Sequence, residues 1–212
     1  MKFLIIICSH VFDEKWIENI KILYDYLHEL GEVDYCGISN QDDFHHYESI
    51  LSFKYKIVNP KRQFSKICDF ITDYKSELNY DWYMKIRPDM KLLEQIPMDS
   101  LSTNAINARA RVYYGPRQIK YGMSVNGEGG WINAGDRHYS DTEHDIIIDD
   151  MFFIFHHTVV ELNAFDTIEP YRDKGEWEQT HTFKERNIPL HVIGIHLENT
   201  KYNVFSGNTL EY

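Results

Sequence analysis

The chain has 212 residues, 43% hydrophobic and 15% aromatic, enough for one substantial core and with no break in composition that would divide it. Thirty-three acidic against 22 basic residues leave a net charge of −11, which excludes the broadly basic surface that a nucleic-acid backbone demands. Any anionic ligand would need local help from a divalent cation, a few clustered Arg and Lys, or a helix N-terminus.

Residues 3–8 form an unbroken, β-branched run, the pattern of a central strand buried on both faces of a parallel sheet. The run is too short, and too closely followed by His10, Asp13 and Glu14, for a secretory signal, and no segment approaches a membrane span. Ser9 and His10 stand at its carboxyl end. Trp16, Ile20, Leu23, Tyr24, Leu27 and Leu30 then recur at helical spacing until Gly31 closes the helix. Residues 33–38 and 53–58 read as the next two strands, separated by a loop rich in Asp and His (Asp42, Asp43, His45, His46). The turn Asn59-Pro60-Lys61-Arg62 opens a helix with Phe64, Ile67, Cys68, Ile71 and Tyr74 on one face, and the polar side of its first turn offers Arg62, Ser65 and Lys66.

Residues 80–91 read as a fourth strand. Trp82, Met84 and Ile86 share one parity, and Asp81, Tyr83, Lys85, Arg87 and Asp89 the other. Pro88 ends the strand and pins Asp89 just past its last paired residue. The order β-α-β-β-α-β over the first ninety residues predicts an α/β fold, with a central mixed, mostly parallel sheet flanked by helices in a single domain over 1–212. In the second half, 92–101 reads as a short helix and 105–114 as a strand. Residues 115–145 read as a long loop centred on the Gly- and Asn-rich stretch 127–136. Residues 146–155 read as a strand passing into a helix that ends near Phe165, 177–186 as a helix, and 190–197 as a last strand carrying His191 and His196. The polar, Tyr-rich tail beyond is a flap or a linker.

Two constellations carry chemistry. Arg87 and Asp89 at a strand's carboxyl end are placed either as a ligand site or as a solvated surface pair on an edge strand. Asp149 and Asp150 interrupt an apolar block, which is costly unless they bind a cation or take part in chemistry, the alternative being a cap on the helix that follows. Of the histidines, His196 lies nearer the strand's carboxyl end and is the better ligand candidate. Cys8, Cys36 and Cys68 are odd in number and lack metal-ligand spacing, as expected of buried, reduced thiols in a cytoplasmic protein. Phosphate-loop, dinucleotide and serine-hydrolase motifs are missing from the sequence.

A first strand ending in small polar residues, a basic helix start after the third strand, and a strand closing in Arg87-Pro88-Asp89 resemble the GT-A nucleotide-sugar glycosyltransferases, whose Asp-x-Asp metal motif follows the fourth strand. Ile132-Asn133-Ala134-Gly135 is similar to the Asn-Ala-Gly segment of the retaining glycogenin-like and lipooligosaccharide galactosyltransferases. Asp149-Asp150-Met151 stands where those have Asp-Gln-Asp, and His191-Val192-Ile193-Gly194 resembles their His-x-x-Gly. The chain is also similar to a glycosyltransferase domain encoded by a chlorella virus. Two departures stand out: Arg87 takes the first acidic place of Asp-x-Asp, and the Lys-Pro-Trp that follows His-x-x-Gly is missing, with Lys201 the nearest substitute.

The resemblance implies a GT-A (Rossmann-like) fold with a nucleotide-binding half over about 1–91 and a sugar and acceptor half over about 92–212. It implies metal-dependent, retaining transfer of a hexose or deoxyhexose from a UDP-sugar to a glycan or glycoprotein acceptor. The base would lie near Ser9 and His10 and the phosphates near Arg62 or Lys66, with Asn133 lining the sugar pocket. Mn²⁺ or Mg²⁺ would be held by Asp89 with Asp150 and His196, and Arg87, Asp149 and Asp150 would be catalytic. The setting would be the cytoplasm, that of a host cell if the chain is viral, with no nucleic-acid partner, no membrane insertion and room for further domains C-terminal. Two alternatives stay open: a sugar nucleotidyltransferase, although the Gly-rich N-terminal loop of those enzymes is missing, and a non-catalytic nucleotide-sugar-binding module.

Overall fold

The computed structural model describes residues 1–114, 130–133, 145–166, 175–195, 197–199 and 204–205. The first half follows the predicted alternation: β1 (Lys2–Cys8), α1 (Ile17–Leu30), β2 (Glu32–Ser39), β3 (Phe53–Val58), α2 (Gln63–Tyr74) and β4 (Trp82–Ile86). The second half contributes β5 (Met90–Leu92), β6 (Ile106–Tyr114), β7 (Gly130–Asn133), β8 (Asp145–His156), α3 (His157–Glu161), α4 (Gly175–Glu185), β9 (Leu190–Val192), β10 (Leu197–Asn199) and β11 (Val204–Phe205).

Eight strands make one mixed sheet in the order β3-β2-β1-β4-β8-β6-β7, with β9 also paired to β6. β1 pairs in parallel with β2 and β4, β2 with β3, and β6 with β9. β8 is antiparallel to both β4 and β6, and β7 to β6, so only β7 and β8 run against the rest. Residues 3–8 of β1 are wholly inaccessible, as their unbroken apolar run requires of the strand with a neighbour on each side and a layer on each face. Odd positions Phe3, Ile5 and Ile7 join Ile20, Leu23 and Leu27 of α1 in one cluster; even positions Leu4, Ile6 and Cys8 join Phe64, Ile67 and Ile71 of α2, Val159 of α3 and Phe183 of α4 in the other. Both clusters draw on both halves of the chain. No helix among the described residues is long and apolar enough to cross a membrane.

Several expectations are corrected. β4 is no edge strand with a solvated face; it lies between β1 and β8 with all five residues buried, Lys85 included. Residues 92–101 form no helix. β5 and a single 3₁₀ turn at Met98–Ser100 stand there, because Pro97 disfavours helical backbone at the residue before it. The 190–197 run is divided. After β9 the chain leaves β6, Ile193 and Ile195 sink into the α1-side cluster, and Leu197 starts β10 in a separate sheet with β11 and β5. His191 lies in β9, and His196 lies outside the described residues. The stretch 115–145 contains β7 and ends on the first residue of β8; 115–129 and 134–144 lie outside the described residues.

Gly31 follows α1 in extended rather than left-handed backbone, at φ 164°. What requires glycine is crowding: a Cβ there would stand 2.1 Å from the Met1 carbonyl oxygen, where the start of β1 crosses.

Candidate functional site

The connection β1-α1-β2 steps one way along the sheet and β3-α2-β4 returns on the other face and steps past β1, so the strand order reverses between β1 and β4. Neighbouring connections diverge at such a switch point and leave a crevice beyond the carboxyl ends of the two strands. Ser9-His10 and Arg87-Pro88-Asp89 are the residues that leave β1 and β4 at that end.

Lys66 holds the β1 side together. It is fully buried rather than displayed on the polar side of α2, and its Nζ donates to the Ser9 carbonyl at 2.7 Å and to Asn40 Oδ1 at 2.5 Å. Burial pushes its ammonium below the ordinary lysine range, partly offset by attraction to the buried Cys8 and to Asp43. Ser9 N–H donates to the Ile38 carbonyl, and Ser9 Oγ accepts from Val11 N–H. His10 is exposed, its Nδ1 3.5 Å from Asn40 Oδ1. Asp43 fixes the next step of the same loop, its Oδ2 accepting from Phe12 N–H at 2.8 Å, while its buried Oδ1 has no hydrogen-bond partner. Arg62, at the N-cap of α2, is exposed.

On the β4 side the turn is clamped. Arg87 N–H donates to the Met151 carbonyl of β8, Met90 N–H to the Arg87 carbonyl, and Asn19 of α1 to the Pro88 carbonyl. Arg87 Nε donates to Asp89 Oδ1 at 2.9 Å and Nη2 to Oδ2 at 2.5 Å, a two-pronged fork onto a carboxylate whose side chain is 4% exposed. The remaining nitrogen, Nη1, is 3.5 Å from Asp150 Oδ2. A single guanidinium thus stands between the carboxylates of the β4 turn and of β8.

Asp150 reaches this point because β8 is irregular there. Ala108 of β6 faces Phe153, but Ala110 faces Ile148, so residues 149–152 drop out of the β6 ladder. β4 has ended by then, its last pair being Ile86 with Phe152. A break of this kind re-aims side chains, and Asp150 sits mid-strand rather than capping a helix. The cap of α3 is His156, which accepts from Thr158 N–H. Across the break the fully buried Arg109 directs Nη2 at Met151 Sδ, 3.9 Å away.

Of the remaining expected residues, Asp149 and Asn133 are described only by their backbone places in β8 and β7, and His196 and Lys201 lie outside the described residues. β10 pairs with β5 so that Asn199 faces Met90, the residue after Asp89. The C-terminal segment is thereby brought to the β4 turn, the direction from which further ligands were expected. His191 accepts no such role: its Nε2 is 3.1 Å from the Ser100 carbonyl.

A divalent ion does not fit Asp89 as it stands. Both carboxylate oxygens are engaged by Arg87, and an ion bridging Asp89 to Asp150 would take the place of the guanidinium or lie against its positive charge. Among the described residues no three His, Cys, Asp or Glu side chains gather at one point. A separate open cavity of about 620 Å³ lies towards the other end of β2, lined by Tyr24, His28, Asp34, Tyr35 and Lys54, and receives none of the expected site residues.

Lys85, Arg109, Asn40 and Asp43 were not among the expected site residues. Lys85 and Arg109 carried the same signal as the acidic pair, a charge inside a strand that is otherwise apolar on at least one face. Lys85 Nζ donates to Gln63 Oε1 at 3.3 Å and lies 5.9 Å from the centre of the Phe153 ring. No protein-family model and no curated protein matches this chain.

Proposed function

We propose that the chain is a nucleotide-sugar glycosyltransferase of the GT-A type, moving a hexose or deoxyhexose from a nucleoside diphosphate to a glycan or glycoprotein acceptor. The observation that carries this reading is the meeting, at the switch point, of the β1 end, the clamped Arg87-Pro88-Asp89 turn and Asp150 from the antiparallel β8. The exposed His10 ring offers a face for the base, and the Ser9 and His10 backbone, fixed from below by Lys66, sets its height. Arg87 is the group able to meet charge growing on a departing diphosphate, and the partly exposed Asp150 beside it is available to the sugar or the incoming hydroxyl. Rate would come mainly from holding donor and acceptor in line and from that charge neutralisation.

The test is a thermal-shift panel of UDP, GDP and CMP with their sugars, followed by assay of free nucleotide with candidate glycans. A ligand that binds only the folded chain raises its melting temperature by mass action. One nucleotide series is expected to shift the melt, and its sugar form to release free nucleotide. A panel with no shift and no release overturns the reading, and binding without release in the presence of acceptors leaves a binding module.

A further inference from the structure

We propose that the cavity at the amino-terminal end of β2 and β3 is a second binding site, for a neutral pyranose sugar, so that the chain holds a glycan at a place separate from the switch point. The proposal goes beyond the nucleotide-sugar reading and does not depend on it.

The cavity lies at the other end of the sheet. Asp34 of β2 faces Leu4 of β1, and Ser9 is five residues further on from Leu4. At about 3.3 Å per residue that separates the cavity from the crevice by roughly 17 Å along the strands. Its volume of about 620 Å³ falls within the range of roughly 300–1,000 Å³ usual for small-molecule sites.

One wall is aromatic. Tyr24 and His28, one turn apart on α1, stand 3.9 Å apart between ring centres, and Tyr35 of β2 lies nearly parallel to Tyr24 at 5.9 Å and 13°. Tyr24 is half-buried and His28 exposed, so these two rings meet what enters the cavity. Tyr35 is 3% exposed, and its buried hydroxyl has no hydrogen-bond partner. Phenylalanine would fill that place without the cost of an unmet polar group, so the hydroxyl marks the wall of a site rather than plain core packing. His28 Nδ1 donates to the Tyr24 carbonyl at 2.9 Å, which makes Nε2 of the neutral ring an acceptor.

The rest of the lining is rich in acceptors. Tyr80 Oη and Lys54 Nζ both donate to Asp34 Oδ2, and Lys56 Nζ donates to Glu48 Oε1. Each carboxylate is thus fixed through one oxygen and, among the described residues, keeps the other for a further donor. Exposed hydroxyls of Ser49 and Ser52 line the same cavity. Carboxylates accept and do not donate, so the ligand that suits them carries several O–H groups. Each also has its own lysine, and two neutral pairs favour an uncharged ligand over a phosphate. A pyranose supplies both requirements: hydroxyls around its rim for the acceptors, and a face of polarised C–H bonds for the electron-rich faces of the rings.

The test is a titration followed by amide NMR, with methyl glycosides of glucose, galactose, mannose and fucose carried into the tens-of-millimolar range, and with glycerol and UMP as controls. Single sugars are small ligands, so millimolar affinity is expected. At least one glycoside is expected to shift amides of residues 24, 28, 34–35 and 48–54, and glycerol and UMP are expected to shift none of these. His28→Ala and Glu48→Ala, both at exposed residues, should each weaken that glycoside by roughly three- to tenfold. No shift there from any glycoside, an equal shift from glycerol, or an affinity unchanged in both variants overturns the inference. A shift there from UMP in place of the glycosides makes it a nucleotide site and overturns it as well. Nucleotide binding at the switch point is read separately, at Ser9, His10 and Arg87, so either proposal can fail without the other.

Discussion

From β3 through β2 and β1 to β4 every pairing is parallel, and the ladder shifts only once, between Tyr35 and Cys36. From β4 outward, β8 runs antiparallel to both its neighbours and drops four residues, 149–152, from its ladder to β6. The regular side ends in backbone: the Ser9 carbonyl, the Arg87 carbonyl and the turn at Pro88 are fixed by hydrogen bonds. The irregular side supplies Asp150, a side chain on the stretch of β8 that has no partner in β6. The candidate site lies on the seam, where a rigid frame meets a strand free to aim its residues.

If that division is right, damage to the frame should register in stability and damage at the break in binding or turnover. The largest stability effect is expected for Ile6→Ala. The side chain is wholly buried on the α2 side of β1, and truncation there costs about 2–5 kcal/mol through lost burial and a residual cavity. Asp150→Asn, at a partly exposed carboxylate, should change stability by less than about 0.5 kcal/mol while altering nucleotide-sugar turnover. Urea unfolding of both variants checks the pair. Equal losses would abolish the distinction between frame and break.

What was legible in the sequence follows the same line. β1 announces itself as an unbroken apolar run buried on both faces, and α1 and α2 because each repeats one period over several turns and buries the face that period selects. Asp150 was legible because charge inside an apolar run is costly. Lys66 was not, since a lysine at the start of an amphipathic helix is solvated by default, and its real acceptors, the Ser9 carbonyl and Asn40 Oδ1, lie just past the ends of β1 and β2. The polar parity of β4 was ambiguous for the same reason: Lys85 finds Gln63 and the Phe153 ring, and Tyr83 finds His157, contacts made only when distant segments pack. β5, β9 and β10 have three residues each, too few to show a period, so the second sheet and the return of the chain to the Asp89 turn had no local signature.

A smaller effect is expected for Lys66→Met. Removing the amine takes the donor from the Ser9 carbonyl and from Asn40, at a cost of about 1–3 kcal/mol. Its pH dependence identifies the cause. Burial lowers the folded-state pKa, so the penalty of carrying a buried ammonium is fully present below that value. It is relieved as pH rises towards the ordinary lysine value of about 10.4, because in that window the unfolded chain binds more protons. Denaturant midpoints at pH 7 and at about 9.5 should therefore show the unaltered chain gaining on the variant. A gap that narrows instead would mean that burial does not penalise this amine.

The smallest effect lies at the opposite, amino-terminal end of the parallel strands, where Asp34 of β2, Lys54 of β3 and Tyr80 ahead of β4 tie three segments together. Tyr80 Oη donates to Asp34 Oδ2 at 2.7 Å, and Lys54 Nζ donates to the same oxygen at 2.9 Å. Burial alone would raise the Asp34 pKa, but the hydrogen bonds from Tyr80 and Lys54 outweigh it and leave the carboxyl below its ordinary value. A depressed folded pKa contributes stability that is complete above the unfolded value of about 3.9 and is lost as pH falls through the folded one. Both charged side chains meet solvent, so the contribution should stay below about 1 kcal/mol and shrink further in salt. Asp34→Asn is accordingly expected to lower the urea midpoint slightly at pH 6 and to match the unaltered chain near pH 2. An equal gap at both pH values would trace the loss to packing or to the neutral hydrogen bond, and the amino-terminal end of the frame would then be held by shape rather than by charge.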